Sequence, residues 1–199
     1  MCLFTLQNKI SKADKDIECW KILESIEDRT GNKIYITPYQ CKVVGESYLL
    51  GKEMLIPDHF PYIGTIEETL RCHDSKNSIE IRGGFIHVFD TLHDECMYNE
   101  VKYLSGYIGA REKIEEHYAK KINCNTLAKI ISVALFRCVI PSGFGYIKGK
   151  CMGANGLNER PDIGTRRDSY AARAIYFKEK VFETTNSKFD LETFKKAYK

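Results

Sequence analysis

What this chain lacks narrows its chemistry first. No apolar run approaches the roughly 18 residues that a membrane-spanning helix needs. Met1 to Ile10 has no basic start, long apolar middle or cleavage site, so the expectation is an unprocessed cytoplasmic protein with no membrane partner. Eight cysteines are present, but no Cys-x-x-Cys occurs among them. The thiols are therefore expected to be reduced and to serve as small apolar residues, Cys19 and Cys138 in strand-like runs above all. Both Gly-x-x-x-x-Gly-Lys-Ser/Thr and Gly-x-Gly-x-x-Gly are missing, which removes the usual phosphate-cradling loops. An excess of one charge is missing too: 30 basic residues face 27 acidic ones, a formal net charge of +3. No strong field commits the chain to nucleic acid, which is not an expected partner. Internal repeats and low-complexity segments are also absent.

What is there reads as strands joined by turns. The stretch from Ile79 to Tyr98 is organised as a strand, interrupted at Gly83-Gly84, that runs into a helix capped by Asp90 or Thr91. Upstream, Met1 to Gln7 forms a brief strand. Asp16 to Ile26 alternates Ile17, Cys19, Lys21 and Leu23 against Glu18, Trp20, Ile22 and Glu24, and after Arg29-Thr-Gly-Asn the strand resumes at Lys33-Ile-Tyr-Ile-Thr, which makes a hairpin. Val43 to Gly51 reads as a short strand, and Thr65 to His73 as one or two helical turns. Downstream, Ala110 to Lys121 has the charge pattern of a solvent-facing helix, with Ile114 and Tyr118 on its apolar side. Val133 to Ile140 marks a buried strand closed by Pro141-Ser-Gly, with Phe144 to Lys148 as the second strand of a hairpin. A loop from Cys151 to Arg167 follows, then a strand in Ser169 to Val181, although Ala171 to Ala174 would also suit a helix. Asp190 to Lys199 has a cap, an early acid and late lysines, and reads as a terminal helix.

Because strands outnumber helices and hairpins dominate, the expected fold is α+β, a single compact domain over 1–199. It has a mainly antiparallel sheet, a few peripheral helices, a C-terminal helix and a flexible loop at 151–168. The expected core includes Ile17, Cys19, Ile36, Phe85, Val88, Phe89, Leu135, Cys138 and Ile140.

Several of these pieces carry a resemblance. Met1-Cys2-Leu3, Asp16 to Leu23, Tyr35 to Gln40, Gly84 to Phe89, Cys138 to Gly143 followed by Tyr146 to Gly149, and Ser169 to Ala172 occur in an order that resembles a group of small bacterial and phage proteins. That group is common in gut Bacteroidales and their viruses and has no assigned activity. The resemblance implies a shared domain and a phage or mobile-element origin, and it names no reaction. Ile86 and the length of the Cys151 to Asp168 loop depart from the pattern.

Candidate chemistry is thin. Cys2 would be an N-terminal nucleophile if Met1 were removed, but Leu3-Phe4 lacks the glycine-rich continuation of an amidohydrolase, and a buried thiol is the alternative. His93 and Cys96 have the spacing of two metal ligands with no second pair, so no metal or cofactor is expected. Arg82, Ser169-Tyr170 and Glu183 follow the order of an ADP-ribosyltransferase, an analogy of fold alone. Arg160, Arg166, Arg167 and Arg173 lie beside Tyr170 in or near the glycine-containing loop, where guanidinium forks match phosphate oxygens; the alternative is an ordinary solvated loop. His87 stands among aromatics as a pocket or core residue. No nucleophile and base, or carboxylate pair, has an interpretable spacing. The expectation is a non-enzymatic binding protein for an anionic or nucleotide-like ligand, or for a protein partner, with an ADP-ribosyltransferase-like enzyme acting on nucleotides, or an N-terminal-cysteine amidohydrolase, as the alternative. Its expected ligand residues are His87, Tyr146, Lys148, Arg166, Arg167, Tyr170 and Arg173.

Overall fold

The structure, a computed structural model, describes residues 3–5, 10–38, 53–55, 70–73, 78–81, 86–90, 94–151 and 167–198. It has a mixed α+β fold rich in antiparallel strand pairs, with a C-terminal helix. The chain forms two compact units, each assembled from three separated stretches: Met1–Lys21, Glu53–Leu92 and Cys138–Phe177 in the first, and Ile22–Lys52, His93–Arg137 and Lys178–Lys199 in the second.

The first unit is a ladder. It takes the start of β3 (Ile17–Glu27), where Trp20 is opposite Phe89 of β8 (Ile86–Phe89). β8 pairs with β13 (Arg167–Ala172), β13 with β12 (Gly145–Cys151), and β12 with β1 (Leu3–Thr5). β1 continues to β7 (Ser78–Ile81), and β7 to β6 (Leu70–His73). The short β2 (Ser11–Lys12) adds to β12, and β5 (Glu53–Leu55) to the first residues of β14 (Ala174–Thr184). Cys19, Val88, Cys138, Ile140, Ile147 and Ile175 are fully buried here. Gly145 is required by space, because a Cβ there would lie 2.9 Å from the Ile10 side chain. Its carbonyl accepts the Arg173 amide at 2.9 Å where the chain turns from β13 into β14.

In the second unit β3 and β4 (Lys33–Ile36) form a hairpin, with Glu24 opposite Ile36, Ser25 opposite Tyr35, Ile26 opposite Ile34 and Glu27 opposite Lys33. Asp28 shapes its turn by accepting the amides of Thr30 and Asn32, and Gly31 takes the positive φ of +85° that the turn requires. Directly opposed residues share a face of the sheet. Ile26, Ile34 and Ile36 therefore turn one way, into a cluster with Ile114, Ala119, Ile122, Cys124 and Ala128. Those partners come from α2 (Glu116–Lys121) and from the separate β9 (Arg111–Lys113) and β10 (Leu127–Lys129) pair with its flanking residues. Ser25, Lys33 and Tyr35 turn the other way. Next to β3 runs β11 (Ser132–Ile140), and beyond it β14. The helices α1 (Asp94–Ser105) and α3 (Leu191–Tyr198) meet through aromatics: Phe194, fully buried, stacks with Phe182 at 5.0 Å and Tyr98 at 6.0 Å between ring centroids. Asp190 starts α3 by accepting the Thr193 amide at 2.7 Å.

Several local expectations need correction. Residues 70–73 are a strand, not helical turns. The helix expected over Ala110 to Lys121 is only six residues long, and Arg111–Lys113 is a strand. Its Ile114 leaves the helix to enter the apolar cluster. The strand after Pro141 does not fold back on β11; β12 pairs with β13, β1 and β2 instead. Rather than one interrupted strand, β7 and β8 are two, each with its own partners. Ile17 is only half-buried. Phe85, Thr91, Val43 to Gly51, Thr65 to Thr69 and the loop at 152–166 lie outside the described residues.

Candidate functional site

The strand register of the first unit sorts the expected ligand residues. Tyr170 is opposite Lys148 on one side and Val88 on the other, while Ala171 is opposite Ile147 and His87. Tyr146, Lys148 and Tyr170 therefore share one face, and His87 belongs to the other, so a single ligand cannot be clasped by both sets from the same side of this sheet. His87 is half-buried and packs edge-on against Phe89 at 5.1 Å. Its carbonyl accepts from the buried Lys21 ammonium at 2.7 Å. Arg173 is half-buried at the turn between β13 and β14, Arg167 is in register with Cys151 at the strand end, and Arg166 lies outside the described residues.

The face with Tyr146 is built around Asp90, at the end of β8. One of its carboxylate oxygens accepts the Tyr170 hydroxyl at 2.7 Å and the other pairs with the Lys148 ammonium at 2.9 Å. The same ammonium sits 5.7 Å from the Tyr170 ring centroid, and the Tyr146 ring stands perpendicular to Tyr170 at 5.5 Å. Burial, and then the Asp90 carboxylate, push the Tyr170 hydroxyl well above its ordinary range. Lys148, expected to meet a ligand anion, has its charge balanced within the protein.

A second cluster lies in the second unit and was not anticipated as a site, although Glu183 was singled out. Glu183, on β14, accepts from the Lys33 ammonium at 2.8 Å and the Tyr35 hydroxyl at 3.3 Å on one oxygen, and from Lys180 at 2.6 Å on the other. Ser132, fully buried on β11, also donates to Glu183, at 2.5 Å. Its hydroxyl meets that of Ser25 on β3, also at 2.5 Å and also fully buried. A relay of hydroxyls thus links the sheet interior to a carboxylate with 17% of its side chain exposed, flanked by lysine side chains 38% and 41% exposed. Burial alone would raise the Glu183 pKa, but the hydrogen bonds from Lys180, Lys33 and Ser132 overcome it and hold the group at about 2. Tyr35 is raised, by burial first and then by the Glu183 charge.

On the opposite face of the β3–β4 hairpin Glu24 is 4% exposed and shares its side with the isoleucine cluster. Burial, with a smaller contribution from Glu112, raises it to about 7. The thiols of Cys19, Cys124 and Cys138 are buried and raised by that burial, Cys19 to about 12, so they are poor nucleophiles. A shallow depression of about 540 Å³ lies among Lys102, Ser187, Lys188, Phe189, Asp190 and Thr193, where Asp190 is already engaged as the helix cap. Among the described residues no three His, Cys, Asp or Glu side chains gather to hold a metal. Also among them, no helix is long and apolar enough to cross a membrane. Cys2, Arg82 and His93 lie outside the described residues.

The fold class is therefore α+β, with two lysine–carboxylate–tyrosine clusters as its chemically distinctive features. No family model matches the chain, and no curated protein or solved structure matches it.

Proposed function

We propose that this protein is a non-enzymatic binding protein whose ligand presents an anionic, phosphate-like or nucleotide-like group to Lys33 and Lys180. One observation carries the reading: two ammonium groups and a phenol converge on a single partly exposed carboxylate, leaving one positive charge in excess. Each ammonium has three donors. Lys33 gives one to Glu183, and Lys180 gives one to Glu183 and one to Tyr35, so donors remain for an incoming oxyanion. Support also comes from what the neighbours cannot do. Ser132 is closed to solvent, and a carboxylate held at about 2 neither donates a proton near neutral pH nor accepts one readily.

The test is calorimetric titration of inorganic phosphate, AMP and ADP-ribose into the wild-type chain, Glu183→Gln and Lys33→Met/Lys180→Met. A binding protein keeps or gains affinity in Glu183→Gln, because the excess positive charge rises. It loses binding in the double variant, and it binds more weakly as salt screens the exposed charges. Turnover of NAD or a nucleotide by the wild type, abolished in Glu183→Gln, would replace this reading with an enzymatic one.

A further inference from the structure

Lysine charge is matched unevenly in the second unit. Lys33 and Lys180 pair with Glu183, Lys120 with Glu116 and Lys195 with Glu192. Lys102 and Lys188 pair with no carboxylate among the described residues, yet both line the depression of about 540 Å³, together with Ser187, Phe189, Asp190 and Thr193. Lys102 is not a loose surface lysine. Its ammonium donates to the Tyr98 hydroxyl at 2.7 Å and lies 5.0 Å from the Tyr98 ring centroid. Tyr98 is fixed in turn, because its hydroxyl donates to the Phe189 carbonyl at 3.2 Å and its ring meets those of Phe189 and Phe194. The phenol therefore holds the ammonium without neutralising it and leaves donors for an incoming oxygen. Asp190, the one acid in the lining, turns a carboxylate oxygen onto the Thr193 amide at 2.7 Å and takes neither ammonium.

We propose that this depression binds a phosphate monoester of a sugar or polyol, at a site independent of the anion reading of Lys33 and Lys180. The phosphate meets Lys102 and Lys188, whose two charges match the near-dianion that a monoester carries at neutral pH. Lys102 is placed in advance by Tyr98, and Lys188 closes on the bound oxygens from its flexible stem. The remaining lining specifies the remaining ligand. Ser187 and Thr193 offer hydroxyls and Asp190 a carboxylate, which suit a hydroxyl-rich body, and Phe189 alone is apolar. The volume falls within the range of about 300–1,000 Å³ usual for small-molecule sites, more than a bare phosphate ion fills. A second anionic group on the body would be repelled by Asp190, so a neutral, hydroxylated body is the one that leaves the charges matched.

The experiment is a ¹H–¹⁵N titration of the full chain with glucose 6-phosphate, ribose 5-phosphate and glycerol 3-phosphate, followed at the amides of Lys102, Lys188, Phe189 and Thr193. Glucose and inorganic phosphate serve as controls. The expected result is saturable shifts at these amides with at least one ester, and affinity at least about tenfold weaker for both controls. Lys102→Met/Lys188→Met should weaken the ester at least about tenfold, whereas Lys33→Met/Lys180→Met should leave these shifts unchanged. All of these lysines are exposed, and the comparison of esters with controls is made on the unaltered protein, so failure of a variant to fold leaves the test intact. Absence of saturable shifts with all three esters, esters that bind no better than inorganic phosphate, or an ester affinity untouched in a folded Lys102→Met/Lys188→Met would overturn the proposal. None of these outcomes bears on anion binding at Lys33 and Lys180.

Discussion

Two regions of this molecule use the same parts in different proportions. In the first unit one aspartate meets one lysine and one tyrosine; in the second, one glutamate meets two lysines, one tyrosine and a buried serine. The first cluster sets one ammonium against one carboxylate beside the rings of Tyr146 and Tyr170. The second carries an excess positive charge and is anchored by hydroxyls that never reach solvent. Residue types alone therefore do not define a lysine site. The ratio of ammonium to carboxylate groups differs between the two, and the depth of each one's supports decides how much stability depends on it.

The depth difference gives the largest expected effect. Ser132→Val removes a donor from Glu183 and leaves the Ser25 hydroxyl, fully buried, without its side-chain partner. An orphaned buried polar group costs about 1–3 kcal/mol, and a lost bond to a charged acceptor a comparable amount. Urea denaturation of Ser132→Val should therefore show a loss of about 2–4 kcal/mol. A loss below about 1 kcal/mol would mean that the relay contributes little.

Next in size are the opposite pH slopes of two glutamates in the second unit. Glu183 has its folded pKa lowered to about 2, so its contribution is fully present above the unfolded value near 4.5 and is lost as pH falls towards 2. Glu24 has its folded pKa raised to about 7, so the protonated acid is favoured in the fold; its contribution is present below about 4.5 and is lost as pH rises through 7. Each displacement corresponds to roughly 3–4 kcal/mol at most, less whatever solvent screening removes. Glu24→Gln should thus stabilise the protein at pH 8 by about 1–3 kcal/mol and flatten the decline between pH 5 and 8, with little change at pH 4. A variant no more stable than wild type at pH 8 would show that Glu24 has found a partner for its charge.

Part of this architecture was legible in the sequence. The alternation through Ile17 to Glu24, the turn at Arg29 to Asn32 and the β-branched run before Pro141 are local signals, and they yield β3, β4 and β11 with Cys19, Ile36, Leu135 and Cys138 in the core. The capped, charge-polarised tail likewise yields α3. Pairing is not local. Lys33 and Glu183 are 150 positions apart, and Ser25 and Ser132 are 107 apart, so no spacing rule could have joined them. The two faces of the first unit were hidden for a related reason. Alternation tells which neighbours along a strand share a side, but only the register across β12, β13 and β8 shows that Tyr146 and Lys148 turn away from His87. Arg111–Lys113 is charged throughout, and its strand character comes from Leu127–Lys129 opposite, not from its own composition.

The phenols provide a smaller test. Tyr170 donates to Asp90 at 2.7 Å as one of two charge-matched contacts, whereas Tyr35 reaches Glu183 at 3.3 Å as one of four. Tyr170→Phe should cost about 1.5–3 kcal/mol, the range for a hydrogen bond to a charged group. Tyr35→Phe should cost under about 1 kcal/mol, because the longer bond is weaker and three donors remain. Equal losses in thermal or urea unfolding would mean that the carboxylates do not differ in how far they depend on their tyrosines.

The smallest effect separates the two regions most directly, through salt. Lys148→Met deprives Asp90 of its only ammonium partner among the described residues, while Lys33→Met leaves Glu183 with Lys180. Both lysines are partly exposed, so each deletion should cost no more than about 1 kcal/mol. Their salt responses should still diverge. In wild type, added salt screens an attractive pair at Asp90, but at Glu183 it screens attraction together with the mutual repulsion of two ammonium groups. Raising NaCl from 0.05 to about 1 M shortens the Debye length to about 3 Å, and it should shrink the stability difference between wild type and Lys148→Met towards zero. The difference for Lys33→Met should change little, because the terms that salt weakens there oppose one another. Identical salt dependence in the two variants would mean that the second ammonium exerts no repulsion at Glu183, and the excess positive charge on which anion binding rests would then be compensated from elsewhere in the chain.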